Sequence, residues 1–105
     1  MGNPALTEAV YYILLSLLEP RHGYGIIQNV QVLSAGRVRL AAGTLYGALN
    51  TLLERGWIGA LQPEEDSRKK EYIITPEGLA ALRAEHRRLR ELTENGNRFL
   101  QEDAQ

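Results

Sequence analysis

Cysteine is absent from this chain, which excludes disulfide frameworks, thiolate metal sites and a cysteine nucleophile, and permits a reducing compartment. An excess of either charge is also missing: twelve Lys and Arg against thirteen Asp and Glu leave a formal net charge of -1. Any contact with a polyanion must therefore rest on locally placed residues, not on bulk charge. Long hydrophobic runs are lacking as well. The apolar run from Ala9 to Leu18 is too short to span a bilayer, and no basic segment precedes it as in a signal peptide. The expectation is a cytoplasmic protein without a membrane partner. Histidine is scarce; His22 and His86 are far apart and have no ligand-type spacing, so no metal site is expected. Gly43, Gly47 and Gly56 follow no strand and make no phosphate loop. With no paired carboxylates and no triad either, neither a cofactor nor an enzyme activity is expected. At 105 residues the chain is expected to fold as one globular unit with a modest core, one that a partner subunit would help to stabilise.

What is present is organised around Ala41 to Ile58. Leu45, Leu49, Leu52 and Leu53 fall at i, i+4, i+7 and i+8, the stripe of an amphipathic helix laid on a core, and Gly56 supplies a left-handed stop. The other side carries Thr44, Tyr46, Gly47, Asn50 and Thr51, where an ordinary solvated helix carries Lys and Glu. Small, uncharged, hydrogen-bonding residues let a helix approach another body closely, and the first turns of a recognition helix are the part that meets base edges in a major groove. The competing reading is a core helix with an idle outer face. The flanking segments decide between the two.

Before this helix, residues 5–19 read as a helix whose main apolar face is Val10, Ile13, Leu14, Leu17 and Leu18. Tyr11, Tyr12 and Leu15 make it apolar nearly all round, and a chain this small cannot bury both faces, so the second is assigned to a subunit interface. Residues 20–23 break that helix, and residues 24–33 form the next, with Ile26, Ile27, Val30 and Leu33 inward. Residues 34–36 end it. Val38 to Leu40 are expected to form a short strand, giving helix-turn-helix order with a lengthened turn. After the central helix come a strand over 57–61, a polar loop over 62–70 and a strand over 71–75. A hairpin in this position is the wing of a winged helix. Its basic end, Arg68, Lys69 and Lys70, is expected against phosphates, although Glu64, Glu65 and Asp66 precede it. Trp57 is expected to pack under the wing.

Thr75, Pro76 and Glu77 open the last helix as N-cap, first helical residue and first-turn acid. Leu79, Leu82, His86, Leu89 and Leu92 then recur at spacings of three and four, the seam of a helix that pairs with another helix. The expected dimer interface is Tyr11, Tyr12 and Leu15 with Leu82, Leu89 and Leu92. Asn95-Gly96-Asn97 is a weak point, because a helical glycine costs about 1 kcal/mol, and the pattern leaves open whether the helix bends, ends or continues there. The fold class that follows is mainly α with a small β-hairpin: a winged helix-turn-helix over 1–75 and a C-terminal dimerisation helix over 76–105.

At Gly43-Thr-Leu-Tyr-Gly-Ala-Leu49, Leu52-Leu-Glu-Arg-Gly-Trp-Ile58, Lys70-Glu-Tyr-Ile-Ile-Thr75 and His22-Gly-Tyr-Gly-Ile-Ile27 the chain resembles the PadR family of bacterial transcriptional regulators, in its short subclass with a single C-terminal helix. The resemblance implies a homodimeric repressor that binds double-stranded DNA at a near-palindromic operator and is released by a small phenolic or drug-like effector. It implies DNA contacts at Thr44, Tyr46 and Gly47, to which the helix face adds Asn50, and wing contacts at Arg68, Lys69 and Lys70. By the same resemblance Tyr12, Ser16 and Leu89 line an effector pocket between the first and last helices. Leu89 stands where drug-sensing relatives carry an aromatic residue, so the likeness does not extend to ring stacking. Ala41 stands where the family often has a capping serine, and alanine cannot accept a hydrogen bond from the first helical amides. A winged-helix module for protein-protein assembly is the alternative, favoured by the near-neutral charge and the acidic run Glu64 to Asp66; salt-dependent binding to duplex DNA separates the two.

Overall fold

Thr7 sets where the first helix begins. Its hydroxyl accepts from the Val10 amide at 3.1 Å, which places the N-cap at Thr7 and starts α1 at Glu8–Ser16, three residues later than the apolar pattern suggests. The computed structural model, which describes residues 5–61 and 70–100, continues with β1 (Arg21–His22), α2 (Gly23–Leu33), α3 (Ala42–Glu54), β2 (Ile58–Leu61), β3 (Glu71–Ile74) and α4 (Pro76–Leu100). This is the mainly helical winged helix-turn-helix with a long last helix.

The sheet has three antiparallel strands in the order β1-β3-β2, one more than the expected hairpin. Ile58 pairs with Ile74 and Leu61 with Glu71, while Arg21 pairs with Tyr72 and His22 with Glu71. The extra strand lies in the break after α1. The strand expected at Val38 to Leu40 does not form. There the Ser34 hydroxyl accepts from the Val38 amide at 2.9 Å, so a local side chain satisfies the group that a ladder needs. The turn before it is a left-handed C-terminal stop, with Ala35 at φ 55 and the Gly36 amide donating back to the Gln31 carbonyl at 2.8 Å.

The core joins all four helices to the sheet: Ile13, Leu14, Leu17, Ile26, Val30, Leu45, Leu49, Leu52, Ile58, Tyr72 and Leu82 form one cluster. Each such side chain contributes about 1.5–3 kcal/mol by leaving water. Leu33, expected inward, is exposed; it sits in the last turn of α2, where the chain turns away from the core. Inside the cluster one polar site is fully paired. The buried Ser16 hydroxyl donates to the Tyr12 carbonyl at 2.9 Å and accepts from Asn29 Nδ2 at 2.9 Å.

Gly56 ends α3 with φ 77, and Thr75 ties that end to α4. Its hydroxyl donates to the Gly56 carbonyl at 2.7 Å and accepts from the Gly78 amide at 3.0 Å, so the N-cap of one helix is also the anchor of another. α4 runs unbroken through Asn95, Gly96 and Asn97, which settles what the sequence leaves open. One glycine does not outweigh the cooperative bonding of a 25-residue helix.

Candidate nucleic-acid interface

Leu45 and Leu49 of α3 are fully buried and Leu52 nearly so. The same rotation leaves Gly43, Thr44, Gly47, Asn50 and Thr51 exposed, and α3 carries no charge before its last residue, Glu54. A methyl built on Gly43 or Gly47 meets no atom within 4 Å, so the face is open at both positions. The N-cap, Ala41, makes no side-chain cap bond, which leaves the first amides of α3 to solvent or to a ligand. Thr51 differs from its neighbours: its hydroxyl donates back to the Gly47 carbonyl at 3.2 Å and is already engaged.

Tyr46 is both exposed and packed. It keeps 45% of its surface, yet its phenol lies over Gly23 at the start of α2, where a Cβ would fall 2.3 Å from the Tyr46 hydroxyl and 2.8 Å from Cζ. A larger residue at position 23 requires the phenol to move. Tyr72 of β3 lies nearby; burial pushes its pKa up, and Tyr46 adds to the shift. Tyr46 thus stands where α2, α3 and the sheet meet.

Of the three wing cations, Lys70 is exposed at the entry to β3, while Arg68 and Lys69 lie outside the described residues. A further cation, Arg39, falls in the segment whose pattern reads as a strand and so escapes notice in the sequence. Arg39 is exposed two residues before the α3 cap, and its Nε donates to the Gly36 carbonyl at 3.1 Å. Arg37 instead turns to α1 and pairs with Glu8.

The residues assigned to an interface or pocket on α1 and α4 divide into two groups. Tyr11, Tyr12, Leu15 and Leu89 are half-buried and Leu92 is exposed. Tyr11 and Leu15 face Leu82 and His86 across a cavity of about 400 Å³, and Tyr12 and Leu89 share a second of about 290 Å³. Leu82 and Ser16 are not available in the same way. Leu82 is 4% exposed and belongs to the chain's own core, because the first three turns of α4 lie on α1; it reaches only the floor of the larger cavity. Ser16 is 1% exposed with its hydroxyl saturated, so it lines no open pocket.

One charged residue on α4 carries no obvious sign in the sequence. Glu85 is 6% exposed and accepts from Arg88 Nε at 2.9 Å, from Arg88 Nη2 at 2.6 Å and from the Leu6 amide at 3.2 Å. The Arg88 bonds, with help from the Leu6 amide, hold its carboxyl below the ordinary carboxylate range. The only sequence signal is position: Glu85 follows Gly78, Ala81 and Leu82 at i+7, i+4 and i+3 on the buried face. Among the described residues no cluster of His, Cys, Asp or Glu is arranged to hold a metal ion, and no helix is long and apolar enough to cross a membrane.

A helix-turn-helix with an open, uncharged second helix, a wing behind it and a long terminal helix defines a DNA-binding regulator of transcription. The chain belongs to the transcriptional regulator PadR-like family, whose model matches residues 13–84; this is a family of regulators and not of enzymes. Among solved structures it is similar to a transcriptional regulator from Clostridium thermocellum, with TM-score 0.71, 25% identity and 87% of this chain covering 90% of that one. A PadR family regulator from Eggerthella lenta gives TM-score 0.71 and 26% identity over 89% of this chain and 81% of that chain. A PadR family regulator from Clostridium difficile gives 0.70 and 28% over 87% and 97%. Comparison with curated proteins returned no match.

Proposed function

We propose that the chain is a homodimeric repressor of a near-palindromic operator, released by a small molecule bound between α1 and α4. Its DNA-binding unit spans residues 1–75 and its dimerisation helix residues 76–105. The observation that carries the reading is the outer face of α3, open and uncharged at Gly43, Thr44, Gly47 and Asn50, with the Lys70 cation beyond it on the wing. Such a face enters a groove without repelling phosphate and without needing bulk positive charge. Dimerisation is supported by the half-buried Tyr11, Leu15 and Leu89 along two neighbouring grooves between α1 and α4 and by the exposed Leu92, Phe99 and Leu100 on the outer half of α4. The adjoining cavity, lined by Tyr12 of α1 and Leu89 of α4, is the place for a small phenolic or drug-like effector.

Leu89→Glu places a charge in that groove and is expected to give a monomer in sedimentation; a mutant that sediments as a dimer moves the interface elsewhere. For DNA, Asn50→Ala is expected to cost about 1–3 kcal/mol on the operator and to relax preference at one base pair per half-site. Lys70→Ala is expected to weaken all duplexes alike and to flatten the log-log salt slope by about one unit for each phosphate it no longer neutralises. Binding that ignores salt and sequence in the wild type refutes the reading.

A further inference from the structure

We infer that the cavity between α1 and the first turns of α4 is a binding site for a medium-chain aliphatic carboxylate, its tail on leucines and its head on Arg83 and Arg87. This is the cavity of about 400 Å³ to which Tyr11 and Leu15 contribute. Leu82, 4% exposed, makes its floor. Leu15 and Leu79 are half-buried, and Leu18, just beyond α1, keeps 50% of its surface. The rest of the lining is Arg83, His86 and Arg87, with no carboxylate among the described residues. These cations stand without counter-charge. Elsewhere on α4 Arg88 pairs with Glu85 and Arg90 with Glu94, whereas among the described residues Arg83, His86 and Arg87 make no hydrogen bond or ion pair. Arg83 and Arg87 lie four residues apart, the spacing at which like charges on a helix repel. An anion seated between them removes that repulsion.

The lining selects the ligand. At about 30 Å³ for each water-sized group the cavity has room for about ten to thirteen non-hydrogen atoms, which is the size of decanoate. Besides the cations the lining is leucine with a single large ring, Tyr11. A flat ligand finds no second ring to stack against, whereas a flexible chain follows the leucines. A guanidinium presents parallel N–H donors to a carboxylate, so two guanidiniums beside one apolar floor favour an anionic head over a neutral or cationic one. The cavity that Tyr12 and Leu89 share has the opposite character: Tyr11 lines it too, but its charged groups are Glu8 and Glu85 and it has no cation. An anion is therefore drawn to the Arg83 side of Tyr11. Every residue of the site belongs to one chain, so the site requires neither DNA nor a second copy.

The test is isothermal titration calorimetry on the full chain without DNA, using octanoate, decanoate and dodecanoate below their micelle concentrations. Octanol and octyltrimethylammonium serve as the neutral and cationic counterparts of octanoate, and phenylbutyrate as an aromatic acid of the size of decanoate. Decanoate is expected to bind about tenfold more tightly than octanoate, because each buried methylene adds a factor of about 3 to 4. Dodecanoate is expected to gain nothing further, because the cavity is then full. Octanol, octyltrimethylammonium and phenylbutyrate are expected to bind more weakly than the matching aliphatic acid. Arg83→Gln and Arg87→Gln change exposed positions and keep the wild-type melting temperature, so folding does not confound them. Each is expected to weaken decanoate about tenfold and to narrow the advantage of octanoate over octanol. Failure of decanoate to bind overturns the inference and returns the groove to the second copy. Wild-type affinity for decanoate in both arginine variants overturns the placement of the head. Phenylbutyrate binding as tightly as decanoate overturns the aliphatic assignment.

Discussion

Gly23→Ala tests how far the position of Tyr46 governs DNA binding. The added methyl falls 2.3 Å from the Tyr46 hydroxyl and 2.8 Å from Cζ, whereas an ordinary C···O contact is about 3.3 Å, so one partner must yield by about 1 Å. Backbone on both sides is tied into helices, while Tyr46 is half-exposed at the tip of a side chain, so Tyr46 yields. Moving it off its rotamer costs about 0.5–1.5 kcal/mol. Replacing a helical glycine returns up to about 1 kcal/mol. Net stability therefore changes little, by about 1 kcal/mol or less, which is about 4–8 °C in a domain of this size. DNA binding changes more, because the phenol shifts at the junction of α2 and α3. An affinity decrease of about tenfold, or about 1.4 kcal/mol, is expected in fluorescence anisotropy with an operator duplex. Tyr46→Ala removes the clash, so Gly23→Ala is expected to add nothing in that background. A melting temperature that collapses shows that the phenol cannot yield. An unchanged affinity with unchanged melting shows that its place over Gly23 is irrelevant to DNA, and either result refutes the reasoning.

Three further outcomes rest on the same kind of close packing and pairing. Ala41→Ser supplies the missing cap of α3 and is expected to raise stability by about 0.5–1 kcal/mol in thermal denaturation; no gain means that the serine does not reach the first amides. Gly78→Ala puts a methyl 2.0 Å from the Trp57 carbonyl oxygen, which is backbone held by the Thr75 amide at 2.9 Å, and a destabilisation of about 3 kcal/mol or more is expected in urea unfolding. Glu85→Gln removes a carboxylate whose pKa is lowered mainly by Arg88, so its contribution is present above the ordinary value of 4.5 and disappears as pH falls through the lower folded value. The variant is expected to melt below wild type at pH 7 and to converge with it in strong acid; a constant gap across that range refutes the ion-pair account.

Where a pattern repeats, the chain could be read without coordinates. The leucine stripe of α3, the Gly56 stop and the Thr75 cap all carry several residues of signal, and the structure has them in place. The two-residue strand β1 could not be seen, because Arg21 and His22 are too short for a period of two to register. Val38 to Leu40 mislead for the converse reason: β-branched and apolar residues suggest a strand, but Ser34 has already taken the Val38 amide. Ser16 and Glu85 show a second limit. Polar residues on a nominally exposed face become buried when a hydrogen-bond partner arrives from a distant segment, Asn29 for one and Leu6 for the other, and no local pattern encodes that meeting. Tyr46 looks like a plain outward residue for the same reason, since its contact lies at Gly23.

The small strand β1 fixes what can move. It ties the entry of α2 to β3, and the Ile74 amide of β3 donates to the Leu17 carbonyl at the end of α1 at 2.9 Å, so the wing is stitched to the helix-turn-helix at two separate points. A wing hung on a bare hairpin could swing to fit grooves of different width; the described strands of this one are bonded to the end of α1 and the start of α2. In the proposed dimer, adaptation to the spacing of two half-sites would then fall to the joint between the two heads, along the groove between α1 and α4. A small molecule seated there would act like a wedge in a pair of callipers, changing the distance between two unaltered points.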